Sequence, residues 1–139
     1  MRPEPAAAIP TTVRVLAIAD TDSYLKWSAT TLDALPSFWK SRQLLIQNPV
    51  MPSQGQTQAA SSRPVEFVSH AALRRRIRLE RPDVVLLACT GPVVAALTAQ
   101  RVFEGRTRPV LVTGLPGISV PATCRAVTSR AACDLFLLH

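Results

Sequence analysis

The sequence lacks the features that identify several protein classes. Among its 139 residues are three cysteines, five glycines and 5% aromatic residues. No apolar run approaches the roughly 20 residues that span a bilayer, which argues against an integral membrane protein. Cys89, Cys124 and Cys133 are odd in number and have no metal-ligand spacing, which argues against a disulfide framework and a zinc site. Each lies in or beside an apolar segment, so we expect buried, reduced thiols.

The glycine-rich fingerprints of nucleotide-binding proteins are also missing. No G-x-G-x-x-G follows the first apolar segment, and no G-x-x-x-x-G-K-[ST] occurs anywhere. The sequence therefore does not favour an NAD-binding or a P-loop nucleotide-binding protein. We expect no cofactor and no metal. The N-terminus also has no continuous apolar stretch of the kind found in secretory signals, so we expect a cytoplasmic protein.

Lysine is scarce, and the formal charge of +7 comes almost wholly from fourteen arginines. Several arginines lie close together in the segment 70–81, which is most often simply a solvated helix face. Three of them, Arg74, Arg75 and Arg78, would also suit peripheral contact with an anionic membrane at the inner face. We expect no nucleic-acid partner.

Apolar strand-like runs alternate with amphipathic segments along the chain. Strands are predicted at residues 13–18, 44–46, 65–68, 83–88, 109–113 and 134–138. Helices are predicted at residues 23–35, 70–80, 92–103 and 121–132. Strands that are apolar throughout are typical of parallel sheets covered on both faces. The sequence therefore predicts an α/β fold: a Rossmann-like, doubly wound, mostly parallel sheet with helices on both faces.

The length fits one domain, which we place at residues 13–139 after a flexible leader at 1–12. A polar stretch at 48–64 predicts a long loop, of the kind that is a functional flap or disordered. The last predicted strand ends at His139 with no helix after it, and a buried strand is uncommon at a chain end. This ending predicts a truncated domain that lacks a C-terminal partner domain.

Ligands of open parallel sheets bind beyond the carboxyl ends of the strands, where helix N-termini carry partial positive charge. This rule selects the loops at 20–23, 90–92 and 114–119. Their glycines allow the backbone to approach a ligand closely. Together with the histidine that ends the last strand, the predicted ligand-binding residues are Ser23, Thr90, Gly91, Gly114, Pro116, Gly117 and His139.

Two acidic residues, Asp20 and Asp22, lie at this edge and are the candidate catalytic residues. Either carboxylate could act as a general base on a hydroxyl group. The structural alternative is that Asp22 or Thr21 caps the next helix while Asp20 accepts hydrogen bonds from turn amides. Thr90, a predicted ligand-binding residue, could likewise have a structural role, as the N-cap of the helix that follows it.

Segments 15–27, 83–92 and 108–119, together with residues 133–136, resemble the N-terminal half of a bacterial family described as "putative glycosyltransferases". The resemblance implies the GT-B class, in which two Rossmann-like domains enclose a cleft. It also implies a role in building cell-surface polysaccharides or polyol-phosphate polymers.

Under this resemblance the chain would be the acceptor-side domain and would bind a glycan or polyol acceptor. The nucleotide-sugar donor would bind the missing C-terminal domain, so the fragment alone would be inactive. Asp20 or Asp22 would deprotonate the acceptor hydroxyl, and Gly91, Gly114 and Gly117 would shape the cleft. No metal is required in this class.

A second enzyme class resembles the chain at one motif. Asp20-Thr21-Asp22 is similar to the D-x-D motif of haloacid-dehalogenase-like phosphohydrolases, with Asp20 attacking phosphorus, Asp22 as general acid, and magnesium bound. Thr113 would be the hydroxyl residue of that class. Tyr24 departs from the Thr or Val favoured there, and no later lysine or acidic pair follows a strand.

Two binding roles are further alternatives. A response-regulator-like module is disfavoured because Cys89-Thr90 and Thr113-Gly114 stand where its phosphoacceptor aspartate and its lysine belong. A non-catalytic fragment that binds a partner through its arginines predicts that Asp20→Asn has no effect.

Overall fold

The protein is described by a computed structural model that covers residues 12–47, 57, 59, 61–115 and 123–137. The strands are β1 (Arg14–Ala19), β2 (Lys40–Ile46), β3 (Val65–Val68), β4 (Val84–Ala88), β5 (Val110–Gly114) and β6 (Leu135–Leu137). The helices with defined bounds are α1 (Asp22–Asp33), α2 (His70–Glu80), α3 (Gly91–Thr98) and α4 (Cys124–Thr128). A 3-10 turn, Arg101–Phe103, follows α3.

The six strands form one sheet in the order β3-β2-β1-β4-β5-β6, and every neighbouring pair is parallel. The chain builds outward from β1 to β3, returns to place β4 on the other side of β1, and builds outward again to β6. The strand order therefore reverses between β1 and β4, where Ala19 lies opposite Ala88. The predicted Rossmann-like α/β fold is confirmed.

Alternate residues of the central strands supply two separate cores. Leu16 and Ile18 of β1 face the cluster completed by α2 and α3, whereas Ala17 and Ala19 face the cluster that includes α1. In α1, Trp27 is buried against the sheet. Because both faces are covered, the central strands are apolar throughout, and each fully buried leucine contributes roughly 1.5–3 kcal/mol.

Two predicted helices end earlier than their apolar pattern indicates. The helix predicted at 92–103 ends at Thr98, whose hydroxyl donates to the carbonyls of Val94 and Ala95. The helix predicted at 121–132 is reduced to α4 within the described residues. Thr123 caps the start of α4, and the Ser129 hydroxyl donates to a carbonyl four residues earlier at its end. In both cases a hydroxyl group donates to a carbonyl of the last helical turn, a contact that apolar spacing does not indicate.

Three expectations about burial are wrong. The last strand, predicted to be buried, is an edge strand with Leu135 exposed, because within the described residues only β5 pairs with it. Cys124 is exposed and Cys133 is only half-buried, so Cys89 alone fits the predicted buried thiol. The physical reason for Cys124 is that α4, only five residues long, buries none of them.

Some predictions fall on parts of the chain that the structure does not describe. These are the leader up to residue 11, most of the loop at 48–64, and the candidate ligand residues Pro116, Gly117 and His139. In the residues that are described, no helix has the length and apolar character needed to cross a membrane.

Candidate functional site

A cleft of about 300 Å³ opens at the carboxyl edge of the sheet, beside the reversal of strand order. It is lined by Tyr24, Thr90, Gly91, Pro92, Leu115, Thr123, Arg125, Ala126, Ser129 and Arg130. These residues come from the ends of β4 and β5, the first turns of α1 and α3, and the α4 region. Two of the predicted ligand residues, Thr90 and Gly91, therefore line the cleft.

Asp20 connects the two strands at the reversal. Its side chain follows β1 and is 4% exposed, and its Oδ2 accepts hydrogen bonds from the backbone N and the Oγ1 of Thr90, at 2.9 and 2.7 Å. Thr90 is the N-cap residue of α3, as predicted, but its own side chain makes no capping hydrogen bond. The carboxylate of Asp20 instead lies at the positive end of α3, where a negative charge is stabilised.

Asp22 has a different environment. Thr21 caps α1, with its Oγ1 accepting from Tyr24 N at 3.4 Å, so the capping role considered for Asp22 belongs to Thr21. Asp22 Oδ2 lies 3.5 Å from Lys26 Nζ, whereas Oδ1 is buried with no hydrogen-bond partner in the described residues. Ser23 is exposed and does not line the cleft.

The sequence analysis missed Arg130, which forms part of the cleft wall and is 3% exposed. Its Nη2 donates to the Tyr24 hydroxyl at 2.8 Å and to the carbonyl of Cys89 at 2.7 Å, and its Nη1 donates to the carbonyl of Ala126 at 2.9 Å. The guanidinium thus ties the α4 region to the end of β4 and to α1. Sequence periodicity placed this arginine inside a helix of 121–132 and gave no signal that it is buried.

Two groups around Arg130 stay uncharged at neutral pH. Burial raises the pKa of Tyr24, an effect that the charge of Arg130 partly opposes. Burial, with a smaller contribution from the charge of Asp20, raises the pKa of Cys89 well above its usual value. The Tyr24 hydroxyl therefore remains a hydrogen-bond donor, and Cys89, whose Sγ lies 3.2 Å from the carbonyl of Ile18, is not a reactive thiolate.

The glycines of this edge allow close packing. A Cβ on Gly91 would lie 2.8 Å from Ser129 Oγ, so the start of α3 approaches the α4 region more closely than any other residue would allow. A Cβ on Gly114 would lie 2.7 Å from the ring of Trp27 and 2.8 Å from the carbonyl oxygen of Leu137. Gly114 is buried beneath the edge, and its predicted contact with a ligand stays a prediction.

Thr113 and the histidine His70 lie away from the cleft. Thr113, the hydroxyl residue of the phosphohydrolase interpretation, is fully buried and donates to the carbonyl of Leu87. His70 is exposed at the start of α2. Across 12–47, 61–115 and 123–137 no group of three or more His, Cys, Asp or Glu side chains could hold a metal ion.

A larger cavity, of about 680 Å³, lies at the opposite edge. It is lined in part by Arg14, Asp83 and Pro109, which lie at or just before the amino ends of β1, β4 and β5, and by Arg81. By volume alone this cavity would be the better candidate for a ligand site, but in open α/β sheets ligands bind at the carboxyl ends of the strands. We therefore take the cleft at the reversal as the candidate site.

The strand order and the cleft at its reversal define a Rossmann-like α/β protein with its candidate ligand site at the topological switch point. Residues 15–139 match the model of the family described as "Putative glycosyltransferase (DUF6716)". The chain belongs to this family, which confirms the glycosyltransferase family assigned from the sequence. No curated protein and no solved structure matches the chain.

Proposed function

We propose that the chain is the acceptor-side half of a GT-B-type glycosyltransferase. The enzyme transfers a sugar or polyol phosphate from a nucleotide-activated donor to a cell-surface polymer or a related acceptor. The donor binds a C-terminal domain beyond this sequence, so the chain alone is inactive. The observation that carries the proposal is the cleft at the β1–β4 reversal, in a chain whose residues 15–139 match a glycosyltransferase family.

The two carboxylates are given different roles in this proposal. Asp20 is buried and bonded to Thr90, which suits a positioning residue that fixes the start of α3 beside the cleft. Asp22 is not needed as a cap, and its ion pair with Lys26 is partly exposed and therefore weak. Asp22 begins the same helix as Tyr24 but does not itself line the cleft, so the acceptor hydroxyl would have to extend past the lining to meet its carboxylate. Because Asp20 is held by Thr90, we assign the role of general base to Asp22.

The proposed reaction has a simple balance. For a sugar, the acceptor hydroxyl oxygen forms a new bond to the anomeric carbon of the donor, and the bond from that carbon to the nucleoside diphosphate breaks. For a polyol phosphate, the same oxygen forms a bond to phosphorus, the P–O–P bond breaks, and a nucleoside monophosphate leaves instead. In both cases the hydroxyl proton passes to the carboxylate of Asp22, and the nucleotide leaves with the bonding electron pair. General-base catalysis of this kind contributes about 10²–10⁴ in rate.

The test measures nucleoside diphosphate released from a panel of nucleotide sugars by the full-length gene product, with cell-wall polymer as acceptor and EDTA present. We expect release that depends on acceptor, is retained in EDTA, and falls about 100-fold in Asp22→Asn. Asp33→Asn is the matched control, because Asp33 ends the same helix and pairs with Arg63 at the surface. Magnesium-dependent release of phosphate from a simple phosphate ester, with no sugar transfer, would overturn the proposal in favour of a phosphohydrolase.

We also propose that α2 contacts an anionic membrane surface through Arg74, Arg75 and Arg78. All three are exposed, whereas Arg76 of the same helix is held by Glu66 and Glu80. Replacing the three exposed arginines by glutamine should abolish cosedimentation with vesicles that contain phosphatidylserine. Equal cosedimentation of variant and wild type would contradict this contact.

A further inference from the structure

The cleft contains a buried positive charge that makes no direct ion pair among the described residues; the carboxylate of Asp20 acts at longer range on its neighbours, Tyr24 and Cys89. Arg130 is 3% exposed, yet no carboxylate of the described residues lies within 4 Å of its guanidinium, which donates only to neutral oxygens. Arg76 and Arg108, by contrast, are each paired with carboxylates. A buried charge without a counter-ion is costly, so natural proteins usually pair it.

One donor of this guanidinium is left unused. Arg130 Nε is buried and has no hydrogen-bond partner among the described residues. The Nη1 of the same group lies 3.4 Å from the position that a Cβ on Gly91 would occupy. The guanidinium therefore lies against the N-terminus of α3, and its unused donor is covered by neighbouring atoms, so an anion in the cleft reaches it only with a shift of the Arg130 side chain.

The N-terminus of α3 adds further donors, and the one carboxylate known to lie at this end, that of Asp20, is hydrogen-bonded to Thr90. The helix has eight residues, its first turn holds no acidic residue, and the Thr90 side chain leaves the first-turn amides uncapped. The amides of Gly91 and Val93 belong to the set that a helix cannot satisfy internally. The helix dipole adds about half a positive charge at this end.

The other charged side chain of the cleft lining is also positive. Among the described residues, the lining contains a second arginine, the exposed Arg125, and no aspartate or glutamate. The Tyr24 hydroxyl accepts a hydrogen bond from Arg130, which leaves its own proton free to be donated. Donors thus come from α1, α3 and the α4 region together.

We propose that this cleft binds an oxyanion, a phosphate or carboxylate group, carried by the acceptor. Arg130 Nε, the first-turn amides of α3 and the Tyr24 hydroxyl hold the anion, and Arg125 covers it from the rim. The acceptor of the proposed transferase is accordingly an anionic polymer or its phosphorylated precursor. That assignment to the acceptor rests on the proposed function, whereas the anion site itself does not.

The test follows the Nε–H signal of Arg130 by NMR while the full chain is titrated with sodium phosphate, glycerol 3-phosphate or acetate at constant ionic strength. We expect saturable shifts, in the millimolar range, at Arg130 Nε and at the amides of Gly91 and Val93. The Nε signal of Arg76, which has its carboxylates, serves as an internal control and should not move. Comparison of the phosphate and acetate titrations shows whether the site prefers a phosphate or a carboxylate group. If none of the three probes gives saturable shifts, the proposal is overturned.

Variants keep the test independent of folding, because Arg130 also ties α4 to β4. Arg125→Gln at the exposed rim should weaken phosphate binding at least fivefold. Arg106→Gln removes an equally exposed charge from the turn before β5 and should leave binding unchanged. Equal weakening in both variants would mean general charge screening and would overturn the site.

A second readout separates the two proposals. If phosphate binds saturably but the full-length enzyme transfers no sugar, the anion site stands and the proposed function fails. If sugar is transferred equally well to neutral and anionic acceptors and no probe saturates, the proposed function stands and the anion site fails.

Discussion

The hydrogen bonds between Asp20 and Thr90 give a prediction whose size follows from the structure. They join β1 to the start of α3 across 70 positions of sequence. Asp20→Ala would leave the N–H and the hydroxyl of Thr90 without their acceptor. A hydrogen bond to a charged group contributes about 1.5–3 kcal/mol, and a carboxylate at a helix N-terminus adds up to about 1 kcal/mol. Because Thr90 is only partly buried, water can replace part of this, and we expect a loss of about 3 kcal/mol in the free energy of unfolding.

A double-mutant cycle isolates the contact from the other interactions of Asp20. Urea unfolding of Asp20→Ala, Thr90→Val and the double variant should give a coupling energy of about 1.5 kcal/mol, since Thr90→Val removes the hydroxyl and keeps the N–H. Thr98→Val is the control, because that hydroxyl bonds only carbonyls of its own helix. A coupling energy for the Asp20–Thr90 pair below about 0.5 kcal/mol, within ordinary additivity, would refute the reasoning.

Two further predictions concern the packing and charge of the sheet edges. Gly114→Ala should lower the free energy of unfolding by about 1–3 kcal/mol, because the new methyl group would meet the buried Trp27 ring and a β6 carbonyl; unchanged urea unfolding would contradict this. The hydrogen bond from Arg108, with one from a backbone N–H, lowers the pKa of Asp134 from 3.8 to about 2. A depressed carboxyl pKa stabilises the fold above pH 3.8 and loses that contribution as the pH falls towards 2, so Asp134→Asn should flatten the unfolding free energy between pH 4 and 2. We expect a difference of about 1 kcal/mol, since the pair is partly exposed; an equal slope in both proteins would contradict it.

The strands and the site edge were predictable because their causes are local. Residues 84–88 form an unbroken apolar run, which is typical of a strand covered on both faces, and the structure places β4 in the centre of the sheet. The prediction that Asp20 and Gly91 meet at one edge needed only the rule that parallel strands end together. The same rule selected Thr90, although the partner of its hydroxyl could not be inferred from sequence.

What the sequence could not predict depends on contacts between distant residues. Arg130 is one of fourteen arginines and looks like a surface residue until the end of β4 and Tyr24 surround it. At the end of α4 the Ser129 hydroxyl and the Arg130 guanidinium hydrogen-bond the carbonyls of Arg125 and Ala126. Apolar spacing carries no information about such partners.

On the proposed function, sugar transfer takes place at the carboxyl edge, beside the β1–β4 reversal, and not at the larger cavity on the opposite edge. The most direct measurement is kcat/KM for acceptor-dependent release of nucleoside diphosphate by the full-length enzyme in EDTA. Arg125 lines the cleft at the carboxyl edge, and Arg81 lines the larger cavity at the opposite edge. Asparagine replaces Arg81 because it tolerates the left-handed backbone of that residue. We expect kcat/KM to fall at least tenfold in Arg125→Gln and to stay unchanged in Arg81→Asn; the reverse result would place the reaction at the larger cavity.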